Sequence, residues 1–302
     1  MNKLAITINL ALLFFISSCS KNPTTLSDAR QLIKEKKYKH AIVVLDNIIN
    51  NQPEFDSAYL ERAYALMMDG DYRNALIDYS HVMKDYNLQI LAWRGRAAMY
   101  YYSGDNLKAI EEFTNLIKLD NNDFRSYCGR GIVRINVQLS ASDVNSVTYM
   151  NAINFDYEGA MKDFNKAIEI NPIYVEAYLK RADLYTRINN NDKALEDYNL
   201  AVQLEPGSFD AHFYRAIFYK NTDNHSKAMA DFNKAIELDP QNPFAYANRG
   251  YLKIDMKNDK AGADKDFKKA RELGLDIPDN EKVYNDRLFE NKSTINPLEI
   301  FK

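Results

Sequence analysis

Arginine and carboxylic acid recur together along this 302-residue chain in a fixed register, and few other groups are placed to do chemistry. The arginines are Arg62, Arg96, Arg130, Arg181, Arg215 and Arg249; the acids are Asp78, Glu112, Asp163, Asp197, Asp231 and Asp266. A guanidinium is a planar fork that can meet one carboxylate through two hydrogen bonds. Either each arginine pairs with the acid of its own segment as a structural brace, or the six arginines form a basic stripe for an acidic ligand. At the matching places in the first segment stand Asp28 and Val44, so arginine and acid are absent together there. That joint absence favours the pair.

The remaining reactive residue types are scattered. The four histidines, His40, His81, His212 and His225, occupy separate slots, and no metal set at close helical spacing forms. Glycine-rich phosphate loops and nucleophile elbows are missing from the sequence. Of the two cysteines, Cys128 reads as a small apolar core or near-groove thiol, and Cys19 directly follows the leader discussed below. The net charge of −3 carries no footprint of nucleic-acid binding. The expectation is a protein that is not an enzyme and needs no metal or cofactor.

The elements that position these residues follow from a repeat. With alanine as anchor, Ala41, Ala75, Ala109, Ala160, Ala194, Ala228 and Ala263 are spaced 34, 34, 51, 34, 34 and 35 residues apart. The long interval is one period plus a 17-residue insertion, at about 137–155. Four residues after the anchors stand Leu45, Tyr79, Phe113, Phe164, Tyr198, Phe232 and Phe267, and seven after them Ile48, Val82, Leu116, Ala167, Ala201, Ala235 and Ala270. Offsets of four and seven line one helix face, so each anchor opens a buried stripe. Pro53, Pro172, Pro206 and Pro240 follow twelve residues on, where the next helix must start afresh. An earlier helix in each period carries Tyr59, Trp93, Tyr127, Tyr178, His212 and Tyr246 in matching phase. Gly70-Asp71, Gly104-Asp105 and the Asn-rich 189–192 separate the two helices.

Two antiparallel helices in 34 residues, small where helices touch and aromatic between, resemble the tetratricopeptide repeat. Seven units are expected near 22–55, 56–89, 90–123, 124–174, 175–208, 209–242 and 243–276, with a capping helix and tail at 277–302. The resemblance implies an all-α solenoid wound as a right-handed superhelix, because a lone helix pair cannot bury its stripe and stacked neighbours complete the core. It further implies a concave groove lined by first helices. Transferring the family's groove phases selects Tyr64, Met67, Arg94, Tyr101, Tyr102, Arg125, Ile132, Arg187, Phe213, Ile217, Lys220 and Tyr251. Aromatic and arginine side chains are common interface anchors. The same tyrosines could simply pack between units. The basic pattern by which some members clamp chaperone tails is not reproduced here.

Residues 1–18 read as a secretory leader: Lys3, then an apolar run over 4–16 that is too short to span a bilayer. Ile16-Ser17-Ser18-Cys19 resembles the lipobox of bacterial lipoproteins, which implies acylation of Cys19 and a tether at 19–26. Ordinary cleavage after Ser20 is the alternative. Serine after the cysteine resembles the outer-membrane sorting pattern of Gram-negative lipoproteins, which would face the chain to the periplasm. Two functions are compatible with all this: a membrane-anchored scaffold for envelope proteins or extended peptides, or a lipoprotein that captures a peptide or glycan. A homodimer fits either.

Overall fold

The computed structural model describes residues 24–85, 88–136, 156–256 and 259–277. The leader with Cys19, the insertion at about 137–155 and the capping helix and tail after 277 lie outside the described residues. Fourteen helices and no strand occur among the described residues. They divide into two bodies, Met1–Val82 and Met83–Lys302.

The first body holds α1 (Leu26–Lys34), α2 (Tyr38–Asn51), α3 (Asp56–Asp69) and α4 (Tyr72–Val82). Each helix packs on the next, and α1 also touches α3. The second body holds α5 (Gln89–Tyr102), α6 (Asn106–Leu119), α7 (Phe124–Asn136), α8 (Tyr157–Ile170) and α9 (Val175–Arg187). It continues with α10 (Asn191–Leu204), α11 (Phe209–Asn221), α12 (His225–Leu238), α13 (Pro243–Asp255) and α14 (Lys260–Glu272). Here each odd-numbered helix pairs with the even-numbered one after it. Each even helix then packs on the next odd one, and the odd helices α5, α7, α9, α11 and α13 touch in series. That two-layer succession is an α-solenoid of helix pairs.

The stripe begun at each anchor is the core. All seven anchor alanines have zero exposure, and the residues four places on are almost as deeply buried: Tyr79, Phe113, Phe164 and Phe232 have none exposed. Burying a side chain of that size contributes about 2–3 kcal/mol. Aromatic bulk on the second helix demands its absence opposite. A Cβ added at Gly131 would sit 2.7 Å from the Phe164 ring, and one at Gly250 would sit 2.7 Å from Phe267. These glycines are there for closeness, not for backbone freedom.

Helix boundaries are set by the turn between the paired helices. Lys36, Gly70, Gly104, Asn189 and Asp223 all stand five residues before an anchor, and all have φ between 58° and 90°. Left-handed backbone suits Gly first and Asn or Asp next. The residue that follows caps the second helix. Asp105, Asp156, Asn190 and Asp259 accept hydrogen bonds from the backbone N–H groups of Lys108, Gly159, Lys193 and Gly262. Such a cap is worth about 1 kcal/mol.

Candidate protein-binding site

The arginines stand on first helices and the acids on second helices. Arg181 Nε and Nη2 each donate to Asp197 at 2.8 Å. Arg215 donates to Asp231 at 2.7 and 2.8 Å, and Arg249 to Asp266 at 2.9 and 2.6 Å. Arg62 and Asp78 make the same fork at 2.7 and 2.8 Å, and Arg130 and Asp163 at 3.0 and 2.7 Å. In the third repeat Arg96 reaches Glu112 through Nη2 alone, at 2.8 Å.

Sequence reasoning missed the remaining guanidinium nitrogen. Nη1 of Arg62, Arg130, Arg181, Arg215 and Arg249 donates backwards, to Asp46, Thr114, Asn165, Asn199 and Asn233 of the preceding repeat, at 2.7–3.1 Å. Those acceptors all stand five residues after an anchor, a phase of small polar side chains that could have been read in advance. Each of these arginines thus ties its own helix pair together and ties it to its predecessor. The Asp78, Asp163, Asp197, Asp231 and Asp266 side chains are buried. Bonded to Asp231, the Arg215 guanidinium is held above its ordinary range. With forks and third donors committed, these arginines are structural and do not form a ligand stripe.

The residues selected for the groove divide by exposure. Tyr64, Met67, Ile132, Phe213 and Tyr251 are buried, and Ile132 has no exposed surface. Tyr251 packs on Phe267 with ring centroids 4.9 Å apart, and Phe213 stacks on Phe209 at 5.2 Å. Lys220 is also buried, over the Tyr251 ring at 5.6 Å, and burial pushes its ammonium down against the opposing pull of Asp255. Arg94 Nε donates to Asp123 at 3.0 Å. The Arg125 guanidinium lies 4.5 Å from the centre of the Phe124 ring. Tyr101 and Tyr102 meet edge to face and pack against the core beneath α7, and Tyr101 Oη accepts from Asn136 at 3.2 Å. Arg187 and Ile217 lie together at one cavity.

That cavity, about 160 Å³, opens among the first helices α9, α11 and α13, with Tyr198 of α10 at its back. Leu179, Ile217 and Phe218 give it apolar walls. Its polar groups include Lys180, Asp183, Arg187, Tyr214, Asn221 and Asn248. Lys180 was not singled out from the sequence, although its i,i+4 spacing from Glu176 was visible there. Its ammonium lies 3.2 Å from Glu176, with both side chains less than a tenth exposed. Burial opposes the charge, yet Glu176, Tyr214 and Asp183 hold the ammonium well above its ordinary range. Arg187 meets Asp183 at 2.9 Å. Each cation therefore has its own anion, and the cavity presents both donors and acceptors with its charges paired. Chemically it can seat one polar side chain or ring of a larger ligand. No group of residues suited to holding a metal ion occurs among the described residues.

The packed helix pairs define a tandem helical-repeat protein. The repeats belong to a known family. Models of the tetratricopeptide repeat match residues 153–174, 164–196 and 209–242, and with the packed helix pairs around them they make this chain a tetratricopeptide-repeat protein. Such repeats are protein-interaction modules, generally without enzymatic activity of their own. Among solved structures, a tetratricopeptide repeat protein from Parabacteroides merdae superposes with a TM-score of 0.57 at 21% identity, over 85% of this chain and 93% of that one. A monomeric mutant of IFIT1 with Gppp-AAAA also superposes at 0.57, with 15% identity over 84% of this chain and 65% of that one. At these identities the likeness concerns the fold. No curated protein matches the chain.

Proposed function

We propose that this protein is a lipid-anchored scaffold of the bacterial cell envelope that receives an extended segment of a partner protein along α9, α11 and α13. The observation that carries the reading is the cavity on those helices, which combines apolar walls with polar groups whose charges are already paired, beside arginines that the fold has already used. Cys19 supplies the anchor, and two or more acyl chains hold a protein to a membrane where a single chain is marginal. Among the described residues no helix is long and apolar enough to cross a membrane.

The test is capture from native envelopes by the tagged full-length protein, beside an Ile217→Arg/Asn221→Arg version. Ile217 is half-buried at the cavity and packs against the core, and Asn221 is exposed; two long cations there fill the opening, and an unchanged melting temperature checks that the core stays intact. A discrete set of proteins recovered by the natural chain and lost by the variant is the expected result. Capture unchanged by the variant would remove the site. A second reading, capture of a free peptide or glycan, draws on the cavity's charge-paired mixture of donors and acceptors. It predicts that a small oligosaccharide or peptide raises the melting temperature and that no protein set is recovered.

A further inference from the structure

The first repeat breaks two local rules at one turn. Five residues before the anchors, where the other described turns have Gly70, Gly104, Asn189 and Asp223, the first repeat has Lys36 at φ 58°. At the following position the other repeats have Asp71, Asp105, Asp156, Asn190, Asn224 and Asp259; the first repeat has Lys37, which provides no side-chain cap. A cation there also opposes the positive end of the α2 dipole. Both substitutions weaken the turn locally, and both put a positive charge at its tip.

They belong to a cluster. Residues 30–40 contain Arg30, Lys34, Lys36, Lys37 and Lys39 against one acid, Glu35, a net +4 in eleven residues of a chain whose total is −3. Everything else therefore sums to −7. The five cations are exposed. Arg30 pairs with Glu61 and Lys37 with Glu35, and among the described residues Lys34, Lys36 and Lys39 have no salt bridge.

The geometry points to an anionic phospholipid surface as the occupant of this turn. The inference rests on the proposed anchor at Cys19. Six residues lie between Cys19 and Leu26, and the seven steps from one to the other reach up to about 24 Å at roughly 3.5 Å per residue. The nine-residue α1 is about 14 Å long, so the lysine tip and an acylated Cys19 can meet the same membrane. Acyl chains and a basic patch are complementary anchoring signals. Close to an anionic surface each lysine is expected to raise partitioning about fivefold. The turn thus gives up cap and backbone stability for charge that orients the first body on its membrane.

Lysine acetylation footprinting tests this on the full-length protein and its Cys19→Ser version, mixed with vesicles of phosphatidylcholine alone or containing phosphatidylglycerol. Flotation with both vesicle types reads the anchor; the difference between vesicle types at the turn reads the patch, so the two fail separately. The expected result is at least fivefold slower acetylation of Lys34, Lys36 and Lys39 on phosphatidylglycerol vesicles. High salt should abolish it, and Lys162 should be unaffected. Lys36→Gly/Lys37→Asp should melt at a higher temperature yet lose at least tenfold of the preference for anionic vesicles. Equal acetylation on the two vesicle types overturns the inference, whether or not the protein floats. So does protection by envelope proteins without vesicles, which would assign the turn to an acidic partner.

Discussion

The third repeat and the sixth use the same arginine position differently. In the sixth, Arg215 forks onto Asp231 and sends its third donor to Asn199 of the repeat before. His212 completes the set, with Nδ1 2.9 Å from Asp231 and Nε2 3.2 Å from the Pro206 carbonyl oxygen. In the third, the acid is Glu112, one methylene longer, and Trp93 occupies the slot of His212. Trp93 Nε1 donates to the same Glu112 oxygen that Arg96 uses, and the buried Arg96 Nε finds no acceptor among the described residues. The difference teaches that the brace depends on carboxylate reach as well as charge. Aspartate presents both oxygens to the fork; glutamate, shared with an indole, presents one.

This contrast can be broken at its strong end first. Arg215→Leu leaves the buried Asp231 without its fork and should destabilise the protein by about 3–5 kcal/mol in urea melts. Arg96→Leu removes one charge-assisted bond and an already unsatisfied nitrogen, and should cost roughly 1–2 kcal/mol. Equal losses at the two sites would mean that the fork adds nothing. Glu112→Asp sharpens the comparison with a smaller effect. It should draw Arg96 into the two-bond geometry of the other repeats and raise stability by about 1 kcal/mol, with a change in Trp93 fluorescence as the indole loses its acceptor. A loss of stability would show that the indole bond matters more than the fork.

Much of this architecture is legible in the chain because a 34-residue period repeats the same physical demand seven times. The anchor alanines, the aromatics four places on and the glycines that face them each answer to one contact. Arginine and acid could be paired because both are missing from the first repeat. The backward reach of Nη1 was harder to see, since it depends on the angle between successive helix pairs. The binding surface was least legible. Phase alone cannot distinguish a side chain that lines a groove from one that neighbours close over, and so Tyr64, Met67, Ile132, Phe213 and Tyr251 are buried. Lys180 and Asn248 face the cavity for the complementary reason: polar residues at first-helix positions gain their meaning only when α9, α11 and α13 come together.

The central claim is that partner proteins are received on the first-helix face of the second body. Photocrosslinking in intact cells, with p-benzoylphenylalanine placed at Ile217 or at Ile173, tests it most directly. Ile217 lines the cavity, whereas Ile173 is 72% exposed and lies outside it. The account predicts a discrete crosslinked protein band from position 217 and none from 173. The same bands from both positions, or from 173 alone, would contradict it.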